Sequence, residues 1–349
     1  MRPGLALARR PWVATGVALF MCCGPLWAHT PLETSAPEAL APQVTQKLTQ
    51  KVTISTWTRT NGHTHEVATY RPDLAPVLAP VPAPILVAGR SLPIERVYVV
   101  PGSGCTGMAP ILPGYFEGLA AREIVVLHKR HVQAHDWPRA TPCRAGFIQH
   151  DELPAWTQAW QEFLAWDLQR RPIAHPQVML LGISEGAEVL PTLMTAWPDV
   201  GMAVLLGATG LDPWEALLLQ LAREQDMAFA EQLQQQLDAP DAASSQLIGG
   251  RSLNYWRTLR HWPVADPIGK SRVPTLVLMG AADQAQAPAG LARFEARHHR
   301  SMLCTRLIAG ADHGLKQKAG RWPGTWPLVQ SLMAAPDARV FAQRCAPTD

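Results

Sequence analysis

The sequence predicts an α/β fold built on a doubly wound, mostly parallel sheet with a helical lid insertion. Three observations carry this. Short, continuous apolar segments alternate with helical ones from about residue 96 to the C-terminus, the pattern of strands buried on both faces by covering helices. One such segment, Gln177 to Ile183, runs directly into Gly182-Ile183-Ser184-Glu185-Gly186, with helix-compatible sequence after it. A single stretch, about 211–270, interrupts the alternation with helix-forming sequence and no strand pattern.

The elements follow in order. Residues 1–28 read as a signal peptide: Arg2, Arg9 and Arg10 precede the apolar run Trp12 to Phe20, and Leu26-Trp27-Ala28 ends on a small residue. Residues 29–50 are polar and rich in Pro and Thr, an N-terminal arm, and 51–349 form the domain. Lys51 to Trp57 and His65 to Tyr70 alternate about Asn61-Gly62, a hairpin signal. The prolines at 72, 76, 80, 82, 84 and 93 require an extended or irregular segment. Strands are expected at Arg96 to Val100, Glu123 to Leu127, Gln177 to Ile183, Met202 to Leu206, Thr275 to Met279 and Met302 to Ile308. Glu152 to Leu168 is an amphipathic helix with Asp151 placed as its N-cap. In the insertion, Asp212-Pro213-Trp214-Glu215 is a helix start, with cap, Pro and acid in sequence, and helix-forming sequence continues to Leu237.

Charge and cysteine usage bound the function. The chain has 349 residues and 31 Lys+Arg against 28 Asp+Glu. The three leader arginines account for the whole excess, leaving the rest neutral, so no basic surface for nucleic acid is implied. Four cysteines follow the leader: Cys105, Cys143, Cys304 and Cys345. An even number in an exported chain points to disulfides, with three connectivities open at this level.

Three motifs carry the chemistry. A serine hydroxyl needs a base to take its proton, and the base needs a partner to fix its tautomer. Ser184 sits between Gly182 and Gly186, which permit the close strand–helix packing of a nucleophile elbow. Asp283, in Gly280-Ala281-Ala282-Asp283, follows the strand Thr275 to Met279, at the sheet edge where ligands gather. His313 lies between Gly310 and Gly314 in a loop past the last strand. Asp212 also follows a strand but reads as the helix cap, and Asp312 adjoins His313 too closely in sequence to orient its ring.

With these motifs in the order Ser, Asp, His, residues 85–345 resemble the α/β-hydrolase superfamily. The stretch Val126-Leu127-His128-Lys129-Arg130 is also similar to the segment after the fourth strand in many members, where an Asp and a Gly usually flank the Lys-Arg pair; here His128 and His131 stand instead. The resemblance implies an oxyanion hole made by the backbone N–H groups of Glu185 and of Ser103, with Gly104 the close alternative. It places the third and fourth strands side by side, and so implies a Cys105–Cys143 bridge; Cys304 on the last strand and Cys345 near the terminal helix are the second pair expected.

Other patterns are weaker. His128, His131 and His135 lack a carboxylate or Cys to complete a metal set, and no Gly-rich phosphate loop is present. Neither metal nor cofactor is expected. Trp214, Leu217, Leu218, Leu221, Met227, Phe229, Tyr255, Trp256 and Trp262 would either line an apolar pocket or dock the insertion on the domain. The expectation is an exported, periplasmic or secreted serine hydrolase cleaving a small ester-type substrate through a covalent acyl-enzyme, without stable membrane insertion once the leader is removed. A peptidase, thioesterase or acyltransferase would use the same residues. A non-catalytic binding protein on this fold is the competing class.

Overall fold

A computed structural model describes residues 52–72, 94–136, 143–239, 243–316, 325–335 and 337–346. The expected leader at 1–28, the arm at 29–50 and the proline-rich stretch 73–93 lie outside the described residues.

Strands form where the sequence is apolar on both faces. In β3 (Ile94–Val100), Val97 and Val99 face one core while Tyr98 and Val100 face the other. β4 (Ala121–Leu127) and β5 (Val178–Ile183) divide their side chains in the same way. This two-sided burial is why the strands read as unbroken apolar runs. One face is covered by the helices Leu153–Arg170 and Glu185–Ala196, with Trp160, Phe163 and Leu193 fully buried. The other is covered by Phe116, Trp326 and Phe341. Burying each such side chain is worth about 1.5–3 kcal/mol.

β1 (Val52–Thr58) and β2 (Thr64–Tyr70) are the expected hairpin, antiparallel, with Gly62 at φ 81° in its turn. With β6 (Met202–Leu206), β9 (Thr275–Gly280) and β10 (Leu303–Ile308) they form one eight-stranded sheet in the order β1-β2-β4-β3-β5-β6-β9-β10. β2 runs antiparallel to β4, and all pairs from β4 to β10 are parallel. The chain steps from β3 to β4 on one side and returns to β5 on the other. The resulting switch point lies between the carboxyl ends of β3 and β5, where a cleft is expected.

Three local expectations are corrected. Asp151 does not cap the following helix; Glu152 occupies that position without a side-chain bond, and the Asp151 carboxylate is drawn to Lys129 and Arg251. The insertion is not strand-free: β7 (Leu247–Ile248) and β8 (Arg251–Ser252) pair across Gly249-Gly250, both at positive φ, as a two-residue hairpin turn requires. Its helical run to Leu237 breaks at Gln225, which adopts φ 60°, so Pro213–Glu224 and Met227–Asp238 are separate helices. The helices Leu253–Arg260 and Ala265–Lys270 complete the insertion. His131 adopts φ 64°, the left-handed region that favours glycine.

Candidate active site

The site starts from the turn after β5. Ser184 has φ 53° and ψ −121°, a region that L-residues rarely occupy. The surroundings enforce it. A Cβ on Gly182 would lie 2.5 Å from the carbonyl oxygen of Gly186, and one on Gly186 would lie 2.1 Å from that of Val100. Only glycines let the helix Glu185–Ala196 start this close to β5 and β3. The Ser184 N–H still donates to the Leu206 carbonyl at 2.7 Å, so the residue leaves the sheet without losing its last ladder bond.

His313 and Asp283 arrive from the ends of β10 and β9. His313 Nε2 is 2.9 Å from Ser184 Oγ, and His313 Nδ1 is 2.8 Å from Asp283 Oδ2. With the carboxylate ionised, Nδ1 donates and Nε2 is left as acceptor for the serine hydroxyl. Asp283 is 1% exposed, and its Oδ1 accepts the N–H groups of Ala285 and Gln286 at 2.8 and 2.9 Å. Gly207, outside the motifs, and Gly280, which opens the motif of the acid, make room for the histidine loop. A Cβ on Gly207 would sit 2.8 Å from the His313 carbonyl oxygen, and one on Gly280 would sit 2.2 Å from that of Asp312. Arg223, from the insertion, grips the acid's loop by donating to the carbonyls of Asp283, Gln284 and Gln286 at 2.7 to 2.9 Å.

Asp212 takes no part in this chain. Its Oδ1 accepts from the N–H groups of Val264 and Ala265 at 2.7 and 2.9 Å. It also makes no side-chain bond to the helix it precedes. The expected cap is therefore a tie between two ends of the insertion.

The loop after β3 lies beside the serine: a Cβ on Gly102 would be 3.5 Å from Ser184 Cβ. Ser103 is on this loop and Glu185 is the first helical residue after Ser184. Among the described residues neither backbone N–H donates a hydrogen bond. The loop is pinned behind by His128, whose Nε2 accepts the Met108 N–H at 3.0 Å while Nδ1 donates to the Glu66 carbonyl. Burial pushes the His128 pKa down to about 4, consistent with a neutral ring. A disulfide joins Cys105, on the same loop, to Cys143, which follows β4, and a second joins Cys304 to Cys345. Among the described residues no group of three His, Cys, Asp or Glu could hold a metal.

The side chain of Glu185 reaches a feature that sequence reading missed. Its Oε1 accepts from Lys129 Nζ, and its Oε2 accepts from Arg251 Nη2 at 2.7 Å and Tyr255 Oη at 2.9 Å. Lys129 also donates to Asp151 at 2.8 Å, and Arg251 donates to the other oxygen of Asp151. The four charges form a closed, buried ring. Burial opposes the charge on Glu185, but Arg251 and Lys129 outweigh it and hold the carboxyl at about 2. Burial and the Glu185 carboxylate push the neighbouring Glu188 well up. The aromatic residues of the insertion dock it: Tyr255 and Trp256 are buried in the main core, with Trp214, Phe229 and Trp262 packed against it. No helix among the described residues is long and apolar enough to cross a membrane.

No protein-family model and no curated protein matches the chain. Solved structures do. Est1E from Butyrivibrio proteoclasticus with ferulic acid bound superposes with TM-score 0.51 at 12% identity, covering 80% of this chain and 96% of that one. A hypothetical protein from Pseudomonas aeruginosa gives 0.53 at 10% identity, over 81% and 92%. A puromycin hydrolase complexed with PGG gives 0.52 at 14% identity, over 84% of this chain but 39% of that one. At these identities the likeness is one of fold.

Proposed function

We propose that this chain, which has the α/β-hydrolase fold, is an exported serine hydrolase acting on an ester-type carbonyl. One observation carries the reading: the unbroken chain from Ser184 Oγ through His313 to a buried Asp283, with Ser184 held at φ 53° on its elbow. The likeness in fold to Est1E, seen with ferulic acid bound, and to a puromycin hydrolase gives the reading its context.

In the proposed reaction His313 Nε2 takes the Ser184 proton as Oγ bonds to the carbonyl carbon. The carbonyl electron pair moves to oxygen, and the N–H groups of Ser103 and Glu185 stabilise the oxyanion, each worth about 3 kcal/mol in such sites. When the pair returns, the bond to the alcohol oxygen breaks and His313 protonates the leaving group. Water, deprotonated by His313, then releases the acid and restores Ser184. Asp283 holds the tautomer and stabilises the imidazolium. The insertion at about 211–270 serves as the lid. Two disulfides and the leader-like residues 1–28 support action outside the cytoplasm.

Fluorophosphonate labelling of the purified chain lacking residues 1–28 tests this, read by intact mass and peptide mapping beside Ser184→Ala. One adduct, on Ser184 and lost in the variant, is the expected result. Well-folded protein that takes no adduct would move the chain to the binding-protein class.

A further inference from the structure

Glu185 presents a problem that the triad does not explain. The elbow needs glycine at 182 and 186, but nothing in its geometry needs a charged residue directly after the nucleophile. Placing a carboxylate there and burying it is costly unless it is fully paired. Here the pairing is complete: three donors from three places occupy its two oxygens. Lys129 follows β4 in the main domain. Arg251 lies in β8 and Tyr255 in the helix Leu253–Arg260, both in the insertion.

The geometry points to Arg251, with Tyr255, as positioning residues of the oxyanion hole, holding the Glu185 side chain and thereby the backbone N–H that follows the nucleophile. This rests on the reading of Ser184 as nucleophile and the Glu185 N–H as an oxyanion donor. The residue is clamped from both sides. Its carboxylate cannot turn without breaking a bond to the ring, and the next residue, Gly186, is pressed against the Val100 carbonyl. The N–H itself, at the first position of a helix, has no carbonyl within the helix to orient it. Its direction is therefore set by what fixes the residue's side chain and neighbours.

The anchors are themselves rigidly mounted. Ile248 pairs with Arg251 across the Gly249-Gly250 turn, and Trp256 Nε1 donates to the Ile248 carbonyl at 2.9 Å. Ser252 caps the following helix by accepting the Tyr255 N–H at 3.1 Å. Lys129 Nζ lies 4.3 Å from the Trp156 ring centre, and Arg251 Cζ lies 4.1 Å from that of Tyr255. Withdrawing this part of the insertion would break its bonds to Glu185 and Asp151 and leave both carboxylates with Lys129 alone. The β7–β8 hairpin and the helix Leu253–Arg260 are accordingly the fixed part of the lid.

The test measures the rate at which a fluorophosphonate labels Ser184 in the disulfide-intact chain, split into KI and the limiting rate kinact, with the final labelled fraction and the melting temperature recorded. Removing an oxyanion donor outright costs about 100-fold or more, so misaligning one by Arg251→Met should lower kinact by about 10-fold or more, with KI little changed and the labelled fraction still complete. Tyr255→Phe, which removes one hydroxyl at constant shape, should lower kinact by about 3-fold or more. Arg251→Lys, which keeps the charge but loses the fork, should fall between Arg251→Met and wild type. If Arg251→Met does not fold, the Phe and Lys variants decide. Wild-type kinact in the folded variants, with only the melting temperature lowered, would overturn the proposal and leave the ring a structural one. Failure of the wild type itself to label at Ser184 would overturn the hydrolase reading and this inference with it, an outcome distinct from equal labelling of wild type and variants.

Discussion

Asp283 Oδ2 lies 2.8 Å from His313 Nδ1, whereas Asp212, the other acid that follows a strand, meets only the backbone amides of Val264 and Ala265. The two carboxylates should therefore fail in different ways. Asp283→Asn removes the charge and presents an amide to Nδ1, so labelling and ester hydrolysis should fall by about 10⁴-fold while the protein still folds. Asp212→Ala should leave the rate per folded molecule near wild type but lower stability by about 1–3 kcal/mol, from two unsatisfied buried amides. An Asp283→Asn enzyme of near wild-type activity would show that the acid has been misassigned.

Glycine contacts at the elbow make a second prediction. Gly186→Ala would place Cβ 2.1 Å from a backbone oxygen, and Gly207→Ala would place one 2.8 Å from the His313 carbonyl at a φ of 62°. Neither backbone can yield cheaply. Each substitution should cost at least about 1–3 kcal/mol, and Gly186→Ala the more. Thermal unfolding of both variants checks the order; a Gly186→Ala protein as stable as wild type would contradict the packing described.

The ring of His128 makes a third, in pH. The folded state lowers its pKa from 6.5 to about 4, so between these values the unfolded chain binds more protons. Its contribution is fully present above about pH 6.5, is lost as pH falls toward 4, and is at most about 3 kcal/mol. His65, also lowered by burial, acts in the same direction. Urea midpoints at pH 7, 5.5 and 4.5 should fall with pH, and His128→Gln should flatten that slope. An unchanged slope in the variant would place the sensitivity on other groups.

The disulfides give a fourth. In the chain lacking residues 1–28, alkylation should modify none of Cys105, Cys143, Cys304 and Cys345 before reduction and all four after it, by intact mass. Two or more free thiols in exported protein would refute the bridges. Replacing Cys105 and Cys143 together by Ala, which opens a closed loop of 38 residues, should cost about 2–4 kcal/mol.

Much of this was legible in the sequence because it is local. Unbroken apolar runs reflect strands covered on both faces, Asn61-Gly62 specifies its hairpin, and Gly182 to Gly186 specifies an elbow whose serine must point into the cleft. Ser184, Asp283 and His313 could be picked out because each sits just past a recognisable strand, and parallel strands bring those ends to one edge. Gly249-Gly250 carries the same kind of turn signal, masked by the helix-rich sequence around it.

The ionic ring was not legible. Glu185 is 56 residues from Lys129 and 66 from Arg251, and Arg251 is 100 from Asp151. No periodicity or spacing links them, and Asp151 taken alone looks like a helix cap. Asp212 misled in the same way, since a capping pattern says which backbone amides are near in sequence and nothing about those that arrive from residues 264 and 265. The sequence by itself determined the sheet, the elbow and the order of the three loops, because backbone geometry and burial periodicity act over a few residues. Only the tertiary structure decided which charges are paired, because a buried charge takes the partner that packing delivers, however far away along the chain.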